Sequence, residues 1–525
     1  MTETSPDMPP DMLPKTVAAT IAGPTATAGS ATSVTGPAPT MPPLSAAGDG
    51  DFAAFAAMTD VSGVVGPGDD RLAPWLVEPR DKFRGRAAVM LRPRNTAEVA
   101  AMLAHCNARR LPVIPVSGGT GLVAGQLTAG EAIPDPVLIA LDRMDRIRDI
   151  SPADNALVAE AGVTLEAVQN AAAEAGRLFP LAMASQGSCR IGGNLATNAG
   201  GVQVLRYGNA RDLVLGVEAV MADGSVHHGL KRLRKDNMGY DLKGLLVGSE
   251  GTLGLITAAS LKLFPAPGEV VTAMLAVPSP TASLDLLHAT RARLGDGVTA
   301  FEIMAAQGPA FIAAQYPDWT DPLAGAPDWR VLIEVTGPTG GGLQARAEAA
   351  LETLFEEGLA TDGVVAASEA QRRAFWWVRE TIPEANRKVG AVSSHDVSVP
   401  LSAIPEFIER TSKAVAEAAQ GLRTNCFGHV GDGNLHYNLF PPEGERPADW
   451  KKQGRAGREA VHETALALGG SISAEHGIGR AKRDALAAKL DPAKLAAMRA
   501  IKRALDPNGI LNPGAVLARE GVYGG

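Results

Sequence analysis

The chain has 525 residues, of which 46% are hydrophobic and 20% are charged. This length exceeds one ordinary hydrophobic core, so a chain of such normal composition is expected to form two or three domains. The net charge of -8 excludes an overall basic field that would draw the protein to nucleic acid or anionic lipid. Three cysteines are too few for a disulfide framework, and the 58 glycines indicate either long linkers or many tight backbone turns.

Residues 1–50 are rich in Pro, Ala, Thr, Ser and Gly and show no apolar periodicity. Such a segment buries too little apolar surface to offset the entropy of ordering, which predicts a disordered tail. Its acidic start, with Glu3, Asp7 and Asp11, does not match a signal peptide. No apolar run in the sequence is long enough for a transmembrane helix. We therefore expect a cytoplasmic protein, for which a peripheral membrane contact stays open.

Short β-like and helix-like runs alternate from Phe52 onward. Residues 96–110 have the pattern of an amphipathic helix, and Asp223-Gly224 has the composition of a hairpin turn. Pro and Gly residues over 265–268 indicate a domain boundary. The sequence therefore predicts a protein of mixed helices and strands, without a repeat of fixed period.

Glycine-rich stretches lie before this boundary, at residues 115–122, 192–201, 237–242 and 248–254. Glycine lets backbone N–H groups approach an anion and form a concave binding loop. Several such loops in one domain predict a large ligand that carries a diphosphate. Asn, Thr and Ser residues recur beside these glycines, which argues against a set of unrelated surface turns.

The first stretch contains a literal G-x-G-x-x-A pattern from Gly119 to Ala124, with Asp142 about twenty residues further on. A Rossmann loop must lead directly into a crossover helix that packs on the sheet. The glycines and prolines over 125–136 leave no room for that helix. This context disfavours a nicotinamide-dependent enzyme.

Three of the stretches, PVSGGTGLVAG, GGNLATNAGGVQVLRYGNARDLVLGVEAVMADG and GYDLKGLLVGSEGTLGLIT, resemble the FAD domain of the vanillyl-alcohol-oxidase/p-cresol-methylhydroxylase (PCMH) superfamily. The resemblance continues through the C-terminal half as the branch that includes D-lactate dehydrogenase, the glycolate oxidase D subunit and D-2-hydroxyglutarate dehydrogenase. It implies an α+β fold. Its parts are a tail over 1–50, a two-subdomain PCMH-type FAD-binding domain over 51–267, a substrate (cap) domain with an antiparallel sheet over 268–500, and a C-terminal segment over 501–525 that returns to the FAD domain.

The resemblance also implies which residues bind FAD. Because the first loop has Thr120 where covalent flavoproteins of the superfamily carry a histidine, we expect non-covalent FAD, and Cys189 is interpreted as a packed thiol. The implied FAD contacts are Pro115, Val116, Ser117, Gly118, Gly119, Thr120, Gly121, Leu122, Ser188, Gly192, Gly193, Asn194, Thr197, Asn198, Gly200, Gly201, Glu250, Gly251, Gly254, Ile256 and Asn512.

A pair of histidines near the C-terminus forms a second group of candidate residues. If two strands pair across a turn at residues 431–434, His429 lies directly opposite His436, about 5 Å apart at Cβ. Two imidazoles at that spacing can share one metal ion, and Asn438 would lie on the same face. Glu475 would complete a two-His, one-carboxylate site suited to Zn or Mn. The alternative is a hairpin whose histidines cap polar groups of the turn.

The resemblance assigns roles to these residues, because the HxGDGNxH and EHG motifs of the 2-hydroxyacid dehydrogenases supply metal ligands and a base. By this resemblance His476 accepts the substrate proton and Asn438 helps to hold the substrate. The implied metal ligands are His429, His436 and Glu475.

Arg379 is the candidate partner of the substrate carboxylate, because the segment WVRETI resembles the family's tryptophan–arginine–glutamate segment. The alternative is an ordinary surface arginine on a helix. Relatives that act on dicarboxylates carry a lysine at the position of Ser394 and a threonine at that of Pro383. The missing cation disfavours a second substrate carboxylate and leaves lactate-like or larger apolar 2-hydroxyacids open.

The reaction implied is hydride transfer from C2 of a D-2-hydroxyacid to N5 of FAD, with a divalent metal and a histidine base. One alternative is an enzyme of the same fold that acts on an alditol, a phenol or an ether-lipid precursor, but those reactions need no such metal site. Another is a non-catalytic electron-relay subunit, in which the histidines would have no purpose.

The partners implied are a small 2-hydroxyacid and an electron acceptor. For the acceptor, electron-transfer flavoprotein, a quinone, a cytochrome and oxygen stay open. No nucleic acid is expected, and a homodimer is common in the family that the sequence resembles.

Overall fold

The computed structural model describes residues 41–323 and 325–519. Most of the predicted disordered tail, residues 1–40, lies outside the described residues. Residues 41–48 have no regular secondary structure, and the first helix begins at Asp49. Leu44 and Ala47 pack against a buried cluster that includes Phe55 and Met102, so this last part of the predicted tail is packed.

The strands of the described residues are short in the first half of the chain and longer in the second. In chain order they are β1 (Val64–Val65), β2 (Val89–Leu91), β3 (Val113–Val116), β4 (Val137–Ala140), β5 (Ile147–Ser151), β6 (Ala156–Glu160), β7 (Arg177–Leu178), β8 (Val214–Val220), β9 (Val226–His228), β10 (Leu255–Lys262), β11 (Phe264–Pro265), β12 (Glu269–Val277), β13 (Val298–Ala305), β14 (Trp329–Gly337), β15 (Asp362–Val365), β16 (Ser393–Ser398), β17 (Arg423–His429) and β18 (Asn434–Phe440).

The α-helices are most numerous after residue 279. In chain order they are α1 (Asp49–Met58), α2 (Thr96–Arg109), α3 (Leu165–Glu174), α4 (Ile191–Ala196), α5 (Val204–Tyr207), α6 (Leu242–Leu246), α7 (Pro280–Leu294), α8 (Gln307–Gln315), α9 (Leu343–Glu356), α10 (Glu369–Val389), α11 (Ile404–Ala418), α12 (Lys451–Ala467), α13 (Arg483–Lys489) and α14 (Pro492–Leu505).

Two sheets with separate buried clusters form the first half of the chain. One is mixed, with the order β1-β2-β4-β3 and parallel pairs between β2, β4 and β3. The other is antiparallel, with the order β5-β6-β10-β8-β9. Strand β4 is buried throughout, which explains its uninterrupted apolar sequence. In the described residues no helix lies between β3 and β4, so the Rossmann alternative is excluded as expected.

A seven-stranded antiparallel sheet forms the second half, with the order β15-β12-β14-β13-β17-β18-β16. Helices α7, α9, α11 and α12 cover one face. Helices α8 and α10 cover the other face over residues such as Met304 and Phe427. Because strand side chains alternate between faces, the second face also receives His436 and Glu302. The predicted α+β fold, with an antiparallel sheet in the cap, is confirmed.

The C-terminal segment returns to the first sheet. The Val113 N–H donates to the Ile510 carbonyl at 2.8 Å, and the Asn512 N–H donates to the Val113 carbonyl at 2.8 Å. The fully buried Asp506 carboxylate accepts hydrogen bonds from the N–H groups of Ile510 and Leu511. It also forms an ion pair with Lys502 Nζ at 2.6 Å. This carboxylate therefore fixes the turn that brings Asn512 to β3. Within the described residues, no helix has the length and apolar character needed to cross a membrane.

We expect Asp506→Asn to lower the free energy of unfolding by about 3 kcal/mol, because Lys502 then stays buried without its counter-charge. Urea denaturation measures this change. Glu409→Gln, which removes an exposed ion pair with Lys413, serves as control and should cost about 0.5 kcal/mol or less. Equal losses in the two variants would contradict the importance of the buried pair.

Candidate functional site

The glycine-rich loops of the first half pack directly against one another. A Cβ added to Gly118 would lie 2.5 Å from the Ser188 carbonyl oxygen, and one added to Gly251 would lie 2.4 Å from Cγ of Pro115. The Gly193 N–H donates to Ser117 Oγ at 3.0 Å. The loops 115–122, 188–201 and 248–254 therefore form one cluster, as their predicted common ligand requires.

The backbone of this cluster also has an open side. Gly119 has a φ of 73°, the left-handed region that favours glycine, and an added Cβ there would meet no atom within 4 Å. Ile256, by contrast, is buried in the core of the five-stranded sheet, so only its backbone can face a ligand. Cys189 is buried, and Asn194 Nδ2 donates to its Sγ at 3.7 Å, which matches the predicted packed thiol. These loops fit a diphosphate-bearing cofactor such as FAD.

Two polar side chains join these loops to the C-terminal part of the chain. Asn512 Nδ2 donates to the carbonyl groups of Gly125 and Glu250 at 2.9 and 2.8 Å. The Glu250 carboxylate accepts the N–H groups of Ile478 and Gly479 at 2.7 and 2.8 Å. Burial raises the pKa of Glu250, although these two hydrogen bonds act to lower it. Asn512 and Glu250, which the resemblance implied as FAD contacts, thus use their side chains to hold the loops in place.

The predicted register of the histidine hairpin is wrong by two residues. His429 pairs with Asn434, and His436 pairs with Phe427, so the two imidazoles are diagonal and not directly opposed neighbours. The reason lies in the turn: it spans residues 430–433, because Gly433 adopts a φ of 81° and Asn434 already belongs to β18. The rings still share one face, with centroids 5.6 Å apart.

His429, His436 and Glu475 nevertheless come together as a possible ligand set. One nitrogen or oxygen from each lies within 4.8 Å of the others. Glu475 Oε1 is buried and has no hydrogen-bond donor; its nearest charged neighbour is His429 Nε2 at 3.6 Å. Burial raises the pKa of Glu475 to about 7. An unpartnered carboxylate oxygen beside two imidazoles at this spacing fits a divalent cation.

Glu302 on β13 is a site residue that the sequence analysis missed. It is fully buried, and its carboxylate lies 2.5 Å from His429 Nδ1 and 2.6 Å from Arg379 Nε. These two positive groups hold the pKa of Glu302 at about 2 in spite of its burial, and Glu302 raises the pKa of His429 to about 9. The sequence feature that could have identified Glu302 is that it is the single charged residue in the otherwise apolar strand β13.

Asp396 on β16 is a second missed residue. Its Oδ2 accepts the N–H groups of Glu475 and His476 at 3.0 and 2.9 Å, and its Oδ1 accepts Asn434 Nδ2 at 3.0 Å. His476 Nδ1 lies 3.4 Å from the same carboxylate. Although Asp396 is buried, its positive neighbours lower its pKa. Burial lowers the pKa of His476, while Asp396 opposes that effect.

The predicted substrate-binding residues Arg379 and Asn438 come from a helix and a strand of the second half of the chain. Arg379, on α10, is 6% exposed; its guanidinium lies over the Phe427 ring, with Nη2 3.5 Å from His429 Nε2. Asn438 pairs with Ser394 across β16 and β18. Arg379 is therefore a buried member of the cluster, and the alternative of an ordinary surface arginine is excluded.

Comparisons with known proteins agree with this architecture. The model of the FAD binding domain family matches residues 87–229, and the model of the C-terminal domain of FAD linked oxidases matches residues 266–516. The probable mitochondrial D-2-hydroxyglutarate dehydrogenase of Oryza sativa subsp. indica is 39% identical over 91% of this chain and 84% of its own length. The mitochondrial D-2-hydroxyglutarate dehydrogenase of Bos taurus is 38% identical over 90% of this chain and 84% of its own.

Solved structures show the same fold at low sequence identity. p-Cresol methylhydroxylase with substrate bound has a TM-score of 0.70 at 18% identity, over 89% of this chain and 96% of that one. The 4-ethylphenol oxidase of Gulosibacter chungangensis has a TM-score of 0.67 at 19% identity, over 90% and 97%.

The predicted cytoplasmic location is contradicted. The rice and bovine relatives are both named as mitochondrial proteins, and these names contradict the expectation. The expectation rested on the composition of residues 1–50, which lie mostly outside the described residues.

The matched families together span most of the chain, and the relatives align over nearly all of it. The chain therefore belongs to the FAD-linked oxidases of the vanillyl-alcohol-oxidase/p-cresol-methylhydroxylase superfamily and is an FAD-linked dehydrogenase.

Proposed function

We propose that this enzyme oxidises a D-2-hydroxyacid to the 2-oxoacid, with a divalent ion, Zn or Mn, held by His429, His436 and Glu475. The observation that carries the proposal is the contact between this ligand set and the FAD loops. A Cβ added to Gly200, on the second loop, would lie 3.1 Å from Glu475 Oε1. The names of the rice and bovine relatives support the substrate class.

The surroundings of His429 support a metal-binding role. Its Nδ1 lies 2.5 Å from the Glu302 carboxylate, so this nitrogen donates its hydrogen and Nε2 is left to face Glu475. Metal-binding histidines commonly donate their second N–H to a carboxylate in this way, which fixes the tautomer and the ring orientation. When bound, FAD accepts the hydride and the divalent ion lowers the pKa of the substrate hydroxyl.

His476 is the proposed base. Its side chain is 31% exposed, so a substrate can reach it, and burial lowers its pKa, which favours the neutral form that accepts a proton. Asp396 holds the backbone N–H of the same residue and lies beside its ring. Asp396 therefore orients the base and stabilises the imidazolium that forms when the proton arrives.

Arg379 is proposed to orient the substrate carboxylate. Its Nε is occupied by Glu302, whereas Nη2 points to the histidine side of the cluster, 3.5 Å from His429 Nε2. A guanidinium with one edge fixed by a buried carboxylate presents its remaining N–H groups in a defined direction. Asn438 is proposed to contact the substrate from β18.

We expect His476→Ala to slow flavin reduction by a D-2-hydroxyacid about 100- to 10,000-fold, because the hydroxyl proton then has no positioned acceptor. FAD content should stay at the wild-type ratio. Anaerobic stopped-flow bleaching of the flavin absorbance measures the rate. His288→Gln, an exposed position on α7, is the matched control and should leave the rate unchanged. A His476→Ala rate within twofold of the wild type would remove His476 from this role.

We expect His429→Ala and His436→Ala to lose bound Zn or Mn and flavin reduction together, since each removes one of three ligands. Elemental analysis of the purified variants gives the metal content, and His228→Gln, an exposed histidine on β9, is the control. In the wild type, exhaustive chelation should abolish reduction and added metal should restore it. Full activity of the metal-free enzyme would refute the metal site.

A further inference from the structure

One exposed segment of the FAD-binding region carries residues that the proposed function does not use. It runs from residue 231, just after β9, to residue 245 in α6, and it contains the glycine-rich stretch 237–242. A Cβ added to Gly239, at the centre of this stretch, would meet no atom within 4 Å. The stretch is therefore open to its surroundings, and we call residues 231–245 the basic–apolar segment.

Large apolar side chains are concentrated on the surface of this segment. Seven large hydrophobic side chains are exposed among the described residues, and four of them lie here: Leu233, Met238, Tyr240 and Leu245. Met238 is 85% exposed and Tyr240 is 96% exposed. Single exposed apolar residues need no explanation, whereas a group of them on one surface marks an interaction site.

The same segment has an excess of positive charge. Residues 231–243 contain five Lys or Arg residues and two Asp residues, a local net charge of +3 in a chain whose total is -8. Arg234 and Lys235 are exposed, and neither side chain has an ion pair or a hydrogen bond with any residue that the structure describes. The total charge argued against attraction to an anionic surface, but the charge of this segment favours it.

The backbone of the segment is held at both ends. Arg232 forms ion pairs with Asp149 and Asp154, which belong to β5 and to the turn after it. Asp241 Oδ1 accepts the Gly244 N–H at 3.0 Å and so caps α6. The exposed cations and apolar side chains between these two points are therefore presented together from a fixed stretch of chain.

The basic–apolar segment adjoins the FAD loops. Helix α6 leads into the loop 248–254, and Leu246, its last residue, is buried in the core of the five-stranded sheet. The Gly248 N–H then donates to the Leu195 carbonyl of the second loop at 2.9 Å. A surface that binds the segment would thus lie beside the FAD-binding region.

We propose that the basic–apolar segment binds the surface of a membrane that contains anionic phospholipid. Its cations would contact the negative headgroups, while Leu233, Met238 and Tyr240 enter the boundary between headgroups and acyl chains, the depth that tyrosine favours. A protein partner is less suited, because a stable protein interface needs about 20 to 30 residues from each side. The assignment goes beyond the proposed function and does not depend on it.

The test is co-sedimentation of the full-length holoenzyme with vesicles of phosphatidylcholine alone, or of phosphatidylcholine and phosphatidylglycerol in equal parts. The wild type should bind the mixed vesicles and not those of phosphatidylcholine alone, and added salt should weaken the binding. Arg234→Gln/Lys235→Gln should lower the partition coefficient for mixed vesicles about 10- to 30-fold, as expected for two basic residues near an anionic surface.

The apolar contribution is tested separately. Met238→Ser/Tyr240→Ser should lower the same partition coefficient about 10-fold or more, since two apolar side chains no longer leave water. Tyr240→Trp should give an emission that shifts to the blue when mixed vesicles are added and that brominated acyl chains quench, whereas the emission of the wild type should change little. Flavin reduction measured without vesicles should stay at the wild-type rate in each variant.

The matched controls lie elsewhere on the surface. Arg410→Gln/Lys413→Gln makes the same change of charge on α11, where the two cations are exposed and paired with Glu406 and Glu409. Val61→Ser removes an apolar side chain that is 93% exposed outside the segment. Both variants should bind the mixed vesicles as the wild type does.

Four results would overturn the assignment. They are absence of wild-type binding to the mixed vesicles, equal binding to both kinds of vesicle, unchanged binding in the segment variants, and loss of FAD from those variants, which would place the segment on the cofactor. Slower electron transfer from the segment variants to an acidic redox protein, with vesicle binding unchanged, would likewise assign the segment to a protein partner. The proposed oxidation of a D-2-hydroxyacid is tested without vesicles and stands or falls independently.

Discussion

Two buried carboxylates determine the conformation of residues 475–479, on which the whole candidate site depends. This segment has no helix or strand of its own, so its backbone N–H groups need other partners. Asp396 from the seven-stranded sheet accepts the N–H groups of Glu475 and His476. Glu250, from the loop 248–254, accepts those of Ile478 and Gly479. A proposed ligand and the proposed base are therefore fixed jointly by the cap sheet and the FAD-binding region. Neither part alone could position them.

The same arrangement sets the charge balance of the site. Glu302 lies between Arg379 and His429 and is hydrogen-bonded to both, so one fully buried carboxylate serves both side chains. Buried charges are tolerated only when they are paired and hydrogen-bonded in this way. Glu475 differs from the other carboxylates, because its Oε1 is buried without a donor. A divalent cation at this position would supply the missing charge, which is the electrostatic argument for the proposed metal.

The sequence predicted the features that are encoded locally. The glycine loops, the hairpin at Asp223-Gly224 between β8 and β9 and the absence of a Rossmann helix each depend on a few neighbouring residues. The grouping of His429 and His436 was predicted as well, but their register was not. Register depended on which residue of the turn adopts the left-handed conformation, and both Gly431 and Gly433 were available.

Long-range pairing explains what the sequence could not show. In the sequence, Glu302 is one charged residue in an apolar strand. Its pairing with Arg379 and His429 can be recognised only in the folded chain, where β13 lies beside β17 and beneath α10. The role of Asp396 likewise cannot be recognised from its neighbours in the sequence, because the backbone N–H groups that donate to it lie nearly eighty residues later.

The same limit applies to substrate choice. The local segment around Ser394 disfavoured a second substrate carboxylate, because a cation was sought only on the strand that forms the site. In the folded chain the segment that carries the proposed base is also held by Glu250 of the FAD-binding region, and a charge acts through space without regard to sequence separation. Specificity in this fold should therefore be judged from all segments that border the proposed base, because the FAD-binding region contacts a site whose proposed ligands come from the cap domain.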